Sequence, residues 1–108
     1  MNAVILGIFS AASLLVAGSA LSSEEHMELL KKSNCLGCHK IEGKKVGPSY
    51  TEVAQKYKGD ANAAAMLENK VAHGGNGVWG TMPMPANSPR VTDKDIKTLV
   101  AFILSLDK

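Results

Sequence analysis

Apolar residues recur along most of this chain at intervals of three and four, the spacing that gathers them on one face of a helix. Ile96, Leu99, Val100 and Ile103 form the strongest stripe, extended by Leu106. Tyr50, Val53, Ala54 and Tyr57 form a second, and Ala64, Leu67 and Val71 a third. Met27 and Leu30, with Leu29 beside them, give an earlier helix a shorter apolar side. Boundary residues agree with these stripes. Ser22-Ser23-Glu24-Glu25 reads as a capping box, with Ser22 at the N-cap and Glu25 at the third position, and Lys31 and Lys32 suit the negative pole at the helix end. Pro48 is placed to start the second helix, which Lys58-Gly59 ends. Asp60 is the expected cap of the third, running to about Ala72 and stopped by Gly74-Gly75. Thr92 caps the last, helped by Asp93 and Asp95. No segment alternates convincingly as a strand would. The expected class is all-α, with four or five short helices, and the first and last are the best candidates to pack together.

Two stretches break the helical pattern. From Ala3 to Val16 the chain is uncharged and apolar, and Ala17-Gly18-Ser19-Ala20 follows. An apolar run ending in small residues is the pattern of a secretory signal peptide, although no Lys or Arg precedes it. The run is shorter than the roughly 20 residues of a membrane span; retention as an uncleaved anchor is the alternative. Cleavage is expected after Ala20 or Ser22, which gives a signal peptide over 1–22 and one domain over 23–108. The second stretch, 74–91, holds Gly74, Gly75, Gly77, Gly80, Pro83, Pro85 and Pro89. It cannot be a helix, and loops of that length in small domains are usually functional.

Every charged residue lies after the apolar leader. Lys and Arg number 12 against 10 Asp and Glu, a net charge of +2, without the basic excess of a nucleic-acid binder. Domains of this size often need a staple to complete a small core. The staple is written in Cys35-Leu36-Gly37-Cys38-His39. C-x-x-C-H reads as a c-type haem attachment site. On a helical turn Cys35, Cys38 and His39 share one face, so two thiols reach the vinyl groups of one porphyrin and the imidazole points at the iron.

Such an iron has a sixth position to fill. Met27 and Met66 fall within helices, where core packing is the better reading. His26 is too near the attachment turn to reach the opposite ring face easily, and His73 suits a helix end. Met82 and Met84 remain. Met84 stands between Pro83 and Pro85, which restrict its flanks; Met82 has one such neighbour. The proline argument favours Met84 and leaves Met82 open. Tyr57 is a further aromatic placed to line the haem or to fill the core.

Gly77-Val78-Trp79-Gly80-Thr81-Met82-Pro83-Met84-Pro85-Ala86-Asn87 resembles the methionine loop of short bacterial class I cytochromes c. These are periplasmic carriers that serve nitrite reductases and terminal oxidases. Cys35 to Ile41 and Val46 to Tyr50 resemble two other stretches of that family. The resemblance implies a cytochrome c fold around one haem c, attached through Cys35 and Cys38, with His39 and Met84 as the metal ligands. It further implies that the Pro48 carbonyl bonds the outer nitrogen of His39 and that Asn87 donates to the Met84 sulfur. The Trp79 indole would bond a haem propionate, with Lys70 near the propionates; the family often carries arginine there, which alone offers bidentate contact.

A His/Met pair leaves no open iron position, and the expected function is that of an electron carrier cycling between Fe(III) and Fe(II), not an enzyme. The expected partners are redox proteins, such as a membrane cytochrome complex, a nitrite reductase or a terminal oxidase. The expected state is a monomer with no nucleic-acid partner. Lys31, Lys32, Lys40, Lys44, Lys45, Lys56 and Lys58 are candidates to steer acidic partners or to serve as ordinary solubilising charges. Other classes fare worse. A zinc module wants four ligands, usually in two separated pairs; a thiol–disulfide oxidoreductase wants a βαβ setting; a haem enzyme or gas sensor wants Met84 absent or easily displaced.

Overall fold

The computed structural model describes residues 21–107. The capping box forms as written: the Glu25 N–H donates to the Ser22 hydroxyl at 3.1 Å, and the Ser22 N–H donates to the Glu25 carboxylate at 3.2 Å. It opens α1 (Ser23–Lys32), whose Leu30 is fully buried. Asn34 then takes a left-handed φ of 63°, and the chain turns out of α1 into a 3-10 turn, Cys35–Gly37.

Helix α2 (Tyr50–Lys56) is capped by Ser49, whose hydroxyl accepts from the Glu52 N–H at 3.2 Å. Pro48 therefore lies just outside the cap and not at the first helical position. Helix α3 (Ala63–His73) begins after Asp60, which serves the preceding turn by accepting from the Asn62 N–H at 2.8 Å. That corrects the expected cap, and the inner stripe with it. Ala63 is 1% exposed while Ala64 faces solvent, because each position rotates a helix by about 100°. Met66 is likewise exposed, not core. Gly74 stops α3, as its place after the stripe predicts. In α4 (Asp93–Leu104) the Thr92 hydroxyl accepts from the Asp95 N–H at 3.2 Å, and Ile96, Leu99, Val100 and Ile103 are all buried.

Helix α4 is the common wall. It packs against α3 most extensively, then α2, and least against α1. The first and last helices do meet, with the His26 ring stacked on Phe102 at 4.3 Å. Theirs is the smallest of the three contacts, because the apolar side of α1 is short. Segment 74–91 is irregular apart from one antiparallel bridge between Gly75 and Met84. The leader read as a signal peptide lies outside the described residues, except for Leu21 and Ser22. Among the described residues no helix is long and apolar enough to cross a membrane.

Candidate functional site

The Cys35–His39 stretch closes as one turn. The Cys38 and His39 N–H groups both donate to the Cys35 carbonyl, at 3.1 and 3.0 Å. Cys35, Cys38 and His39 consequently line one cleft. Both thiols are free, Cys35 half-buried and Cys38 exposed. Burial pushes the Cys35 thiol above its ordinary pKa, with the Tyr50 hydroxyl and the Arg90 charge pulling the other way. Burial and the adjoining Cys35 push the Tyr50 phenol up as well.

The His39 ring sits in a slot. Its Nδ1 lies 2.8 Å from the Pro48 carbonyl oxygen, which can only accept, so Nδ1 carries the proton and Nε2 keeps its lone pair. Tyr50 stacks on the ring at 4.9 Å. Gly47 closes the slot: a Cβ there would lie 2.6 Å from His39 Cε1. Gly47 is held in place by its own N–H, which donates to the Cys38 carbonyl at 2.7 Å.

The methionine loop is secured differently. Gly75 and Met84 exchange two backbone hydrogen bonds, at 3.0 and 2.8 Å, and this ties Met84 to the end of α3. The approach is so close that Gly74, at φ 77°, has no room for a side chain against the Met84 carbonyl. Met84 is half-buried, whereas Met82 is 66% exposed; both line the cleft.

Pro48, Lys70, Trp79 and Asn87 line the same cleft as Cys35, Cys38, His39 and Met84. Trp79 is partly exposed and has the Lys56 ammonium 5.6 Å over its ring. Lys70 is half-buried in the last turn of α3. Asn87 is buried, but its amide is engaged elsewhere than at the Met84 sulfur: Nδ2 donates to the carbonyls of Val71, at 3.0 Å, and Pro85, at 3.2 Å. Tyr57 packs against the core from outside the cleft wall, and Tyr50 lines it instead. Sequence reasoning placed Tyr50 only in a core stripe and missed Arg90 altogether; both act through tertiary contacts that leave no local pattern.

The cleft holds about 1260 Å³ of space not filled by protein, part of it open to solvent. Its inner wall is apolar, built by Val53, Leu67, Leu99, Val100 and Ile103. An apolar slot bordered by two thiols, a histidine with a free Nε2 and a half-buried thioether fits a haem. The thiols would hold it, with His39 and a methionine directed at its iron.

A family model described as "Cytochrome c" matches residues 23–107. Cytochrome c-552 of Nitrosomonas europaea is 44% identical over 106 residues, 98% of this chain and 99% of that protein. The crystal structure of wild-type cytochrome c552 from that organism superposes with a TM-score of 0.72 at 44% identity, covering 75% of this chain and 99% of the other. A class 1 cytochrome of Sideroxydans lithotrophicus gives a TM-score of 0.72 at 33% identity, covering 82% and 100%.

Proposed function

The chain belongs to the cytochrome c family, and from that premise we propose that it is a periplasmic electron carrier in which His39 and Met84 would hold the haem iron. Membership brings one covalently attached c-type haem, and Cys35 and Cys38 stand at the required spacing. When bound, the haem supplies a one-electron iron couple. The protein's part is to hold both axial donors still. The observation that carries the reading is the pairing, at one cleft, of a histidine whose free Nε2 is set by the Pro48 carbonyl and a methionine pinned by two backbone bonds.

With haem bound, His39 and Met84 together would leave the iron no position for oxygen, peroxide or substrate. The soft thioether favours the ferrous state and raises the potential. Fixed donors keep rearrangement small as the electron comes and goes. These features suit a carrier and not an enzyme. Pro48 orients His39, Lys70 and Trp79 serve the propionate side, and Asn87 acts by holding the loop.

Docking belongs at the mouth of the cleft. Val46, Val78, Trp79 and Met82 are exposed large apolar residues, and all four line it. Exposed Lys44, Lys45 and Lys56 lie nearby in sequence or space. A small apolar patch with basic residues around it suits brief encounters with acidic redox partners, such as a membrane cytochrome complex, a nitrite reductase or a terminal oxidase. For export, Ser22 caps α1, so cleavage after Ala20 keeps the cap and cleavage after Ser22 removes it.

An absorption spectrum of the purified protein, before and after acidic organic extraction, tests the reading. A c-type haemochrome that stays with the protein, and a reduced form slow to bind carbon monoxide, are expected. Extractable haem or rapid carbon monoxide binding would contradict it.

A further inference from the structure

We propose that Arg90 is a positioning residue for the axial methionine, a clasp that joins the methionine loop to the segment entering the attachment turn. Arg90 lies at the protein surface just before α4, and its guanidinium reaches two ways. One nitrogen donates to the Ser33 carbonyl at 3.1 Å, across 57 residues of sequence. The other donates to Asn87 Oδ1 at 2.8 Å. Ser33 is the C-terminal cap of α1, two residues before Cys35. Asn87 is three residues past Met84.

The second bond fixes more than a distance. A guanidinium only donates, so the Asn87 atom facing it must be the carbonyl oxygen. The amide nitrogen is thereby turned the other way, toward the carbonyls of Val71, at the end of α3, and Pro85, next to Met84. The Asn87 backbone N–H adds bonds to Val71 and Ala72, at 3.1 and 3.2 Å. Arg90 thus selects the amide orientation that straps the residue after Met84 to α3. Its other arm anchors that strap to the chain that presents Cys35 and His39. Charge-assisted bonds are stronger than neutral ones; at the Ser33 carbonyl the guanidinium, at 3.1 Å, outcompetes the weak and longer contact of the Cys35 thiol, at 3.9 Å. Without the guanidinium the Asn87 amide is free to turn over, and the loop loses its tie to the attachment side.

The clasp rests on Met84 being the ligand, and the test separates the two claims. Wild type, Arg90→Ala and Arg90→Lys are compared as ferric holoproteins. Three signals are followed: the weak far-red sulfur-to-iron band on heating, the far-UV helix signal on the same ramp, and the affinity for added imidazole, which competes with the thioether. In Arg90→Ala the band is expected to vanish at a temperature further below helix loss than in wild type. Imidazole is expected to bind about tenfold more tightly, the scale set by losing one charged hydrogen bond. Arg90→Lys, with one ammonium for two acceptors, is expected to fall between. A wild type that lacks the band overturns Met84 as ligand and the clasp with it. A wild type that shows the band, with Arg90→Ala losing band and helix in the wild-type relation and binding imidazole no more tightly, overturns the clasp alone.

Discussion

The two sides of the cleft are built by opposite means. The histidine side is compact in sequence: one turn presents Cys35, Cys38 and His39, and the bond that orients the imidazole comes from Pro48, nine residues away. The methionine side has no regular structure of its own. Met84 is held by a bridge to Gly75, by the strap through Asn87 and by a guanidinium that reaches back to Ser33. The first side is set by local geometry and fails only if its own residues change. The second is a sum of distant ties and can be loosened from several places without touching Met84. Under the proposed His39/Met84 ligation the consequence is practical: the potential and the closure of the iron site would depend on the less locally determined half.

Removing the covalent link breaks both sides at once and is the largest effect expected. In Cys35→Ala/Cys38→Ala the haem should extract into acidic organic solvent. The far-UV helix signal should fall steeply, because Leu67, Leu99, Val100 and Ile103 then border an empty cleft. Retention of full helix content would show that the core does not depend on the cofactor.

Two glycines separate the sides. Gly47→Ala drives a Cβ into the His39 ring, and Gly74→Ala drives one into the Met84 carbonyl while strained at a φ of 77°. Each is expected to destabilise by about 2 kcal/mol or more in denaturant melts. Their spectra should differ. Gly74→Ala weakens the far-red sulfur band, whereas Gly47→Ala disturbs the histidine side. The same spectral change in both would erase the distinction between two independently built halves.

Away from the cleft the effects are smaller. Ser22→Ala removes the α1 cap and is expected to cost about 1 kcal/mol with no change in the visible spectrum. Met66→Gln, on the exposed face of α3, should fall within about 0.5 kcal/mol of wild type. A larger loss would mean that Met66 has a buried partner.

The same division explains what the sequence made legible. The stripe of α4, the capping box of α1 and the attachment turn are local patterns with fixed spacings, and all were readable. Met84 was favoured over Met82 by its flanking prolines, again a local cue. The third helix shows how little slack such reading has: Asp60 was as good a cap on paper as Asn62, and the shift exchanged Ala64 for Ala63 on the inner face. What was hidden depends on partners far along the chain. Nothing near Asn87 reveals that its amide serves Val71 and Pro85, nor does anything near Arg90 reveal Ser33. Gly74 reads as a helix stop, and only the packed loop shows that it also makes room for the Met84 carbonyl.

The most direct measurement is the far-red sulfur-to-iron band of the ferric protein in wild type, Met84→Ala and Met82→Ala. The expected result is a band in wild type, its loss in Met84→Ala and its retention in Met82→Ala. A band that survives Met84→Ala and disappears in Met82→Ala would move the ligand to Met82 and contradict the assignment of Met84.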